Sequence, residues 1–374
     1  GGGYEKSYIQ GRRPETGSMS YHVQLESNMS LTGANADKRI PLKPSEQVFA
    51  LINLYNAVSG SNLASKATPV DAELKKLATQ LKAAGTQGVV VTGIQDKNAQ
   101  ILALAINESL GSVVIDKAYT KKVRQGNDTA VQALVADMKS GKIGGILIFN
   151  ANPVYTLPNA KAFADQLGKL DLSVTFATHE NETAKATQYA LATPHYLESW
   201  GDVAHQKGQY SLVQPTIKPL FNTRQFQDNL LKWMGEPIAY YDFIKTGFTG
   251  NFNQAIHDGF VKSEEILTAP TAKVVDLATV ASELNQVKSA DLELAFYTKT
   301  SMGDGQMANN PWLQEMPDPI TRASWDNYIT MSIADAAEKG ITNTTADNGA
   351  LDGQLVDVTV NGVTIPNVPV YIQP

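Results

Sequence analysis

The feature that most constrains the fold is an alternation that begins at Gly88. Val89, Val90 and Val91 form a continuous apolar run, the pattern of a strand buried on both faces of a sheet. Helical periodicity follows from about Asn98, with Ile101, Leu102, Ala105, Ile106 and Leu110 on one side and Gly111 as the stop. Thr129 and Gln132 make a capping-box pattern ahead of Val131, Leu134, Val135 and Met138. Residues 146–149 read as a second buried strand, 159–167 as a third helix and 172–177 as a third strand. Strands alternating with helices of this length imply βαβ units, and so an α/β class with a parallel, doubly wound sheet.

The flanks read differently. Residues 21–25 form a short strand, left for a loop at Glu26-Ser27-Asn28. A helix starts at Pro44, with Ser45 as N-cap and Val48, Phe49, Leu51, Ile52 and Tyr55 at helical spacing. A second has Thr68 as N-cap, Pro69 at its first position and Asp71 completing a capping box, and it ends near Ala84 with Gly85 at C′. Past Thr178 periodicity fades. Pro194, Pro215 and Pro219 mark residues 194–224 as a long ordered surface connection, and 226–234 and 241–260 read as helical. The end is β-rich: a strand at 292–297, a short helix between Ser332 and Gly340, and two strands, 355–360 and 363–365, joined by Asn361-Gly362. That dipeptide is a strong hairpin signal. A chain of 374 residues is too long for one ordinary core, so two or three lobes are expected.

Several chemistries are excluded or left without support. With 31 basic against 37 acidic residues the net charge is -6, which leaves no basic surplus for nucleic acid. No apolar run approaches the roughly 20 residues of a membrane-spanning helix, so partner subunits would have to hold the chain at a membrane. The absence of cysteine excludes disulfides, thiolate metal sites and cysteine-ligated iron–sulfur clusters within it. Gly144-Gly145 precedes a strand instead of leading into a helix, and Gly303-x-Gly305 lacks a third glycine, so both read as turns. The histidines at 22, 179, 195, 205 and 257 match no zinc pattern; His179 and His195, each with a glutamate close by, read as hydrogen-bonded structural residues. No Gly-x-Ser-x-Gly elbow is present. Asn150 and Asn152 follow a strand, where open α/β sheets bind ligands, although Asn150-Ala151-Asn152-Pro153 also reads as a plain turn.

Longer runs carry a resemblance. They are 8–12, 20–37 with Glu26-Ser27-Asn28, Asn152-Pro153-Val154-Tyr155, His195 to Asp202, 211–215, Asn309 to Pro317, and Trp325-Asp326-Asn327. In this order they resemble the large subunit of molybdopterin oxidoreductases, and within that group the B subunit of alternative complex III, a bacterial quinol-oxidising complex. The resemblance implies Rossmann-like lobes followed by the start of a β-barrel. It maps 1–84 to the end of one lobe, 85–235 to a second, 236–289 to a helical connection and 290–374 to the barrel's beginning. Where pterin-containing relatives typically carry Asp-Pro-Arg, this chain has Glu26-Ser27-Asn28, an acid in place of a nucleotide-holding loop. A metal-ligating residue would lie upstream of Gly1, and iron–sulfur clusters and the remaining barrel beyond Pro374. The glycine start and the strand-like end read accordingly as an internal segment of a longer polypeptide.

The resemblance thus implies a cofactor-free structural subunit with no catalytic or metal-ligating residue of its own. It would be held at the periplasmic face of the inner membrane by a membrane quinol-site subunit and haem c subunits. Glu26, Asn150, Asn152 and His195 are its remnant pterin-facing candidates. Two rival expectations are an active molybdopterin enzyme, with Asn150, Asn152 and His195 lining a cofactor funnel, and a two-lobed solute-binding protein. The hairpin-rich end speaks against the latter.

Overall fold

The computed structural model describes residues 4–123, 126–262, 267–271 and 273–373. Gly1 to Gly3 and Pro374, on which the reading of the chain ends rests, lie outside them. The chain forms two compact units: the first joins the residues up to Ile115 with those from Lys273 onward, and the second is Asp116–Ala272. This division by packing has a different basis from the segments 1–84, 85–235, 236–289 and 290–374, which carry over as a proposal about lobes.

In the first unit, strands β1 (Val23–Glu26) and β2 (Lys38–Pro41) pair in parallel across the short Leu31–Ala34 helix. The core lies beside them, around the Pro44–Ser59 helix. Val48, Ile52 and Tyr55 pack with Leu102 and Ile106 of the Lys97–Leu110 helix and with Val280 and Leu284 of the Leu277–Leu284 helix. Ile52, Leu102 and Ile106 are fully buried, each worth roughly 1.5–3 kcal/mol.

Three local expectations are corrected here. Lys43, not Ser45, caps the Pro44–Ser59 helix, with Glu46 reaching back to the Lys43 amide at 3.1 Å; Ser45 is buried and donates to Glu293. The next helix is Asp71–Ala84; Thr68 does bond Asp71, but a turn at 69–70 separates it from the helix. Residues 89–91 are no strand. Val90 is instead held by the Asn107 side chain, whose Oδ1 accepts from its amide at 2.8 Å while Nδ2 donates to its carbonyl at 2.7 Å. A side chain thus satisfies a backbone that would otherwise need a ladder, and Val91 stays 81% exposed.

The second unit is built on a parallel sheet in the order β3 (Gly145–Phe149), β4 (Leu172–Ala177), β5 (Tyr189–Ala192). On one face Ile146 and Ile148 pack against Met138, Phe163 and Leu167 from the Asp128–Lys139 and Ala160–Leu167 helices. Asn127 caps the first of these, in place of the expected Thr129. The opposite face carries Leu147, Phe149, Leu172, Phe176 and Tyr189 by strand alternation. The Phe226–Trp233 helix lies over part of it, with the Phe226 ring stacked on Phe149 at 4.6 Å and Trp233 6.0 Å from the Phe176 ring. Leu147 and Phe149 are still 40% and 41% exposed, so β3 is not the doubly buried strand expected. The stretch 194–224 is also corrected: β6 (Gly201–Gln206) and β7 (Gln209–Val213) form a hairpin there, extended by β8 (Phe260–Lys262). Gly208 turns it with φ 76°, and its missing side chain leaves room for Leu267. The expected helical stretch beyond resolves into Tyr240–Gly247 and Phe252–Asp258.

The last part of the first unit adds β9 (Ile329–Met331), β10 (Asn343–Thr345), β11 (Leu351–Gly353), β12 (Leu355–Val360) and β13 (Val363–Ile372). β12 and β13 form the expected hairpin, Asn361 and Gly362 having φ 50° and 80°, and β9 pairs in parallel with β13. Residues 292–297 form no strand. Parallel strands and helices make the α/β reading sound; a second doubly wound lobe and a closing barrel remain a proposal.

Candidate functional site

The candidate residues sit on two loops at carboxyl ends of parallel strands, plus a third short turn. Glu26 ends β1 in the first unit; Asn150, Asn152 and His195 lie in the second.

Glu26 is buried and fully engaged. Its Oε1 accepts from Arg39 Nε at 2.6 Å and from the Ser30 amide at 3.2 Å; Oε2 accepts from Ser30 Oγ at 2.6 Å and Gln24 Nε2 at 3.3 Å. Ser30 in turn caps the following helix by accepting from the Gly33 amide. The carboxylate lies so close to Gly33 that any side chain there would collide with it. Burial pushes the Glu26 pKa up, but the bonds from Ser30 and Arg39 outweigh it and hold the group below the usual glutamate range. Two residues on, Asn28 Oδ1 accepts from Thr330 Oγ1 at 3.0 Å and Gln373 Nε2 at 2.6 Å, tying the loop to β9 and to the end of β13.

In the second unit the carboxyl ends of β3, β4 and β5 lie side by side, because Asn150 N donates to Phe176 O and Thr193 N to Ala177 O. Asn150, Asn152, His179 and His195 therefore share one edge of the sheet, where open α/β sheets take ligands. Asn150 has φ 50°, a left-handed conformation that asparagine tolerates, and is exposed. Asn152 turns inward. Its Oδ1 accepts from Thr183 Oγ1 at 2.7 Å and the Thr183 amide at 3.2 Å, while Nδ2 donates to Glu182 at 2.7 Å. His195 caps the short Tyr196–Glu198 turn: Nδ1 accepts from the Leu197 amide at 3.3 Å, and Glu198 reaches back to the His195 amide at 2.9 Å. His179 bonds its neighbour Thr178, and His257 its neighbour Asp258. Among the described residues no group of three or more His, Asp or Glu side chains could hold a metal, and no helix is long and apolar enough to cross a membrane.

A pterin dinucleotide needs hydrogen-bonding groups turned towards it. Glu26, the Asn28 oxygen and Asn152 instead spend theirs on partners within their own unit, and one nitrogen of His195 is likewise committed. As arranged, Glu26, Asn152 and the Asn28 oxygen do not fit that group, whereas Asn150 stands exposed at the strand end. Sequence reasoning named the loops but missed Arg39, Thr183 and Glu182, because no local pattern ties a residue to a partner 13 to 31 positions away.

The sequence is similar to that of two curated oxidoreductase subunits, and the fold to that of one solved structure. The menaquinone reductase molybdopterin-binding-like subunit of Nitratidesulfovibrio vulgaris is 27% identical over 364 residues, covering 83% of this chain and 52% of that protein. The alpha subunit of formate dehydrogenase 2 (cytochrome c-553) from the same organism is 24% identical over 136 residues, 33% of this chain and 13% of that one. Acetylene hydratase from Pelobacter acetylenicus shares the fold at a TM-score of 0.52 and 13% identity, over 94% of this chain and 64% of that one. The chain thus spans about half the length of the reductase subunit it matches. No family profile matches it.

Proposed function

We propose that this chain is a cofactor-free structural segment of a respiratory quinol-oxidising complex of the alternative complex III type. In this reading it supports electron transfer through iron–sulfur clusters held elsewhere in its polypeptide. The observation that carries the proposal is the closure of the Glu26-Ser27-Asn28 loop on Arg39, Ser30, Thr330 and Gln373. Where a pterin enzyme needs groups facing a nucleotide, this loop faces its own unit. Similarity to a reductase subunit whose name describes it as molybdopterin-binding-like supports the same reading. The body would sit at the periplasmic face of the inner membrane, retained by a membrane quinol-site subunit and haem c subunits.

The test is the metal and pterin content of the native full-length protein. No molybdenum, tungsten or acid-released pterin fluorescence is expected; near-stoichiometric metal would favour the catalytic molybdopterin alternative. Mild detergent should release the protein from membranes together with haem-containing subunits. Recovery as a soluble monomer without detergent would count against the complex.

A further inference from the structure

In the second unit a hollow of about 690 Å³ opens between β6, β7 and the Tyr240–Gly247 helix. Asp202, near the start of β6, stands in its wall. One carboxylate oxygen accepts from Tyr210 Oη at 2.5 Å, and the other accepts from Tyr240 Oη. Tyr240 and Phe243 lie with their rings nearly parallel, 6.0 Å apart at 18°, and Phe248 adds a further aromatic wall.

The hydrogen-bond inventory decides what such a hollow can hold. Both phenol protons are spent on Asp202, so what the three groups still offer is acceptor lone pairs: one more direction on each carboxylate oxygen and those of the two phenol oxygens. Burial, and then the bond to Asp202, pushes both tyrosine pKa values up, so the phenols stay neutral donors. A carboxylate ringed by acceptors repels an anion and leaves a neutral acceptor unmatched. A flat cation with several N–H groups satisfies it, and aromatic faces add cation–π attraction. We propose that this hollow binds the flat guanidinium head of a ligand, laid on Tyr240 and Phe243 with its N–H groups directed at Asp202 and the phenol oxygens. The inference goes beyond the respiratory role above and does not depend on it.

Lys122 and Lys207 also line the hollow, and Lys207 Nζ reaches the Thr268 carbonyl at 3.5 Å. As like charges they weaken a cation, which gives the proposal a sign to test. The full chain is titrated calorimetrically with benzamidinium, with benzamide as its neutral counterpart, and with agmatine against a capped Gly-Arg-Gly peptide. Benzamidinium should bind saturably, and benzamide about tenfold or more weakly, the difference a charge-assisted hydrogen bond makes. Asp202→Asn, nearly isosteric, should cost roughly tenfold and Tyr240→Phe about threefold, while Lys207→Gln should tighten binding about two- to threefold by removing a like charge. Each variant's circular dichroism and unfolding midpoint are checked against the parent. Should Asp202→Asn misfold, Tyr240→Phe and Lys207→Gln carry the test. Tighter binding of the peptide than of agmatine assigns the head to a partner protein's arginine, and the reverse to a small-molecule guanidine. Equal affinity for benzamide, weakening by Lys207→Gln, or no saturable binding of any cation overturns the proposal.

Discussion

The loops that leave β1 and β3 solve one problem with different chemistry. Each follows a parallel strand, where backbone groups run out of ladder partners, and each turns a side chain back to satisfy its neighbours. After β1 the side chain is a buried carboxylate paired with Arg39 across the strand pair, the side chains 10% and 22% exposed. After β3 it is the neutral amide of Asn152, bonded to Thr183 and Glu182. A charged closure is strong in one geometry and costly when half of it is lost. A closure by a neutral amide is weaker and less sensitive to salt, though its bond to Glu182 fades as that carboxylate protonates.

The largest effect is expected from Glu26→Ala. It leaves the Arg39 charge and the Ser30 groups without their acceptor, at a cost of about 3 kcal/mol, the low end for breaking a buried pair because Arg39 can still reach water. Chemical denaturation of the full chain measures it, and a loss no greater than that of Asn152→Ala would erase the contrast between the loops. The pH dependence has a fixed sign. Glu26 titrates lower in the folded chain than unfolded, so its contribution is complete above the unfolded value, about 4.3. It is lost as pH falls below that value and through the folded one. Glu26→Ala should abolish that part of the acid sensitivity.

A third loop sharpens the point. Asn107 spans both backbone groups of Val90, so Asn107→Ala should cost about 2 kcal/mol by leaving a partly buried N–H and C=O unpaired. Hydrogen exchange at the Val90 amide should accelerate in step. Unchanged exchange there would mean that the amide is protected by something other than this side chain.

That loop also shows where the sequence was legible and where it was not. Helix periodicity located the Pro44–Ser59, Lys97–Leu110 and Ala160–Leu167 helices closely, since burial of one face writes itself into every third or fourth position. The boundaries were less readable: Asn127 and Lys43 took the caps from Thr129 and Ser45 because a cap depends on a single bond, and several polar residues nearby could make it. Val89 to Val91 misled because an apolar run signals burial, not pairing, and the partner that settled the matter was an asparagine 17 positions away. The candidate site was half visible. A strand end marked Asn150 and Asn152 and the resemblance marked Glu26 and His195, but whether their polar groups face a ligand or the loop itself depends on partners that only the fold brings near. Asp202 ends the run from His195 that resembles the molybdopterin oxidoreductases, and its two tyrosines come one from the next strand and one from a distant helix.

On the neutral side of the comparison, Asn152→Ala should cost about 1–2 kcal/mol, the expense of leaving the buried Thr183 hydroxyl without its acceptor. The loss should be the same at low and high salt. Asn152→Asp separates charge from shape, since it sets a carboxylate against Glu182, whose pKa is now held down by the Asn152 amide. That variant should be less stable than Asn152→Ala at neutral pH and recover as acid protonates the pair. Equal stability of the two variants at every pH would show that the amide's donor side contributes nothing.

The smallest effect is expected where backbone alone makes the turn. Asn361 and Gly362 join β12 to β13 with φ 50° and 80°, and Val360 pairs with Val363 directly across them. Two consecutive left-handed residues match the twist of the strands, which is why asparagine and glycine stand there. Asn361→Ala places an ordinary side chain in that conformation and should cost about 1 kcal/mol, whereas Asn361→Gly should stay within about 0.5 kcal/mol. No long-range side-chain partner is lost in either case, so the difference isolates backbone strain. Amide exchange along β12 and β13 should rise in the alanine variant only. If Asn361→Gly proved as damaging as alanine, the asparagine side chain would be contributing a bond of its own, and this turn would belong with the loops closed by side chains.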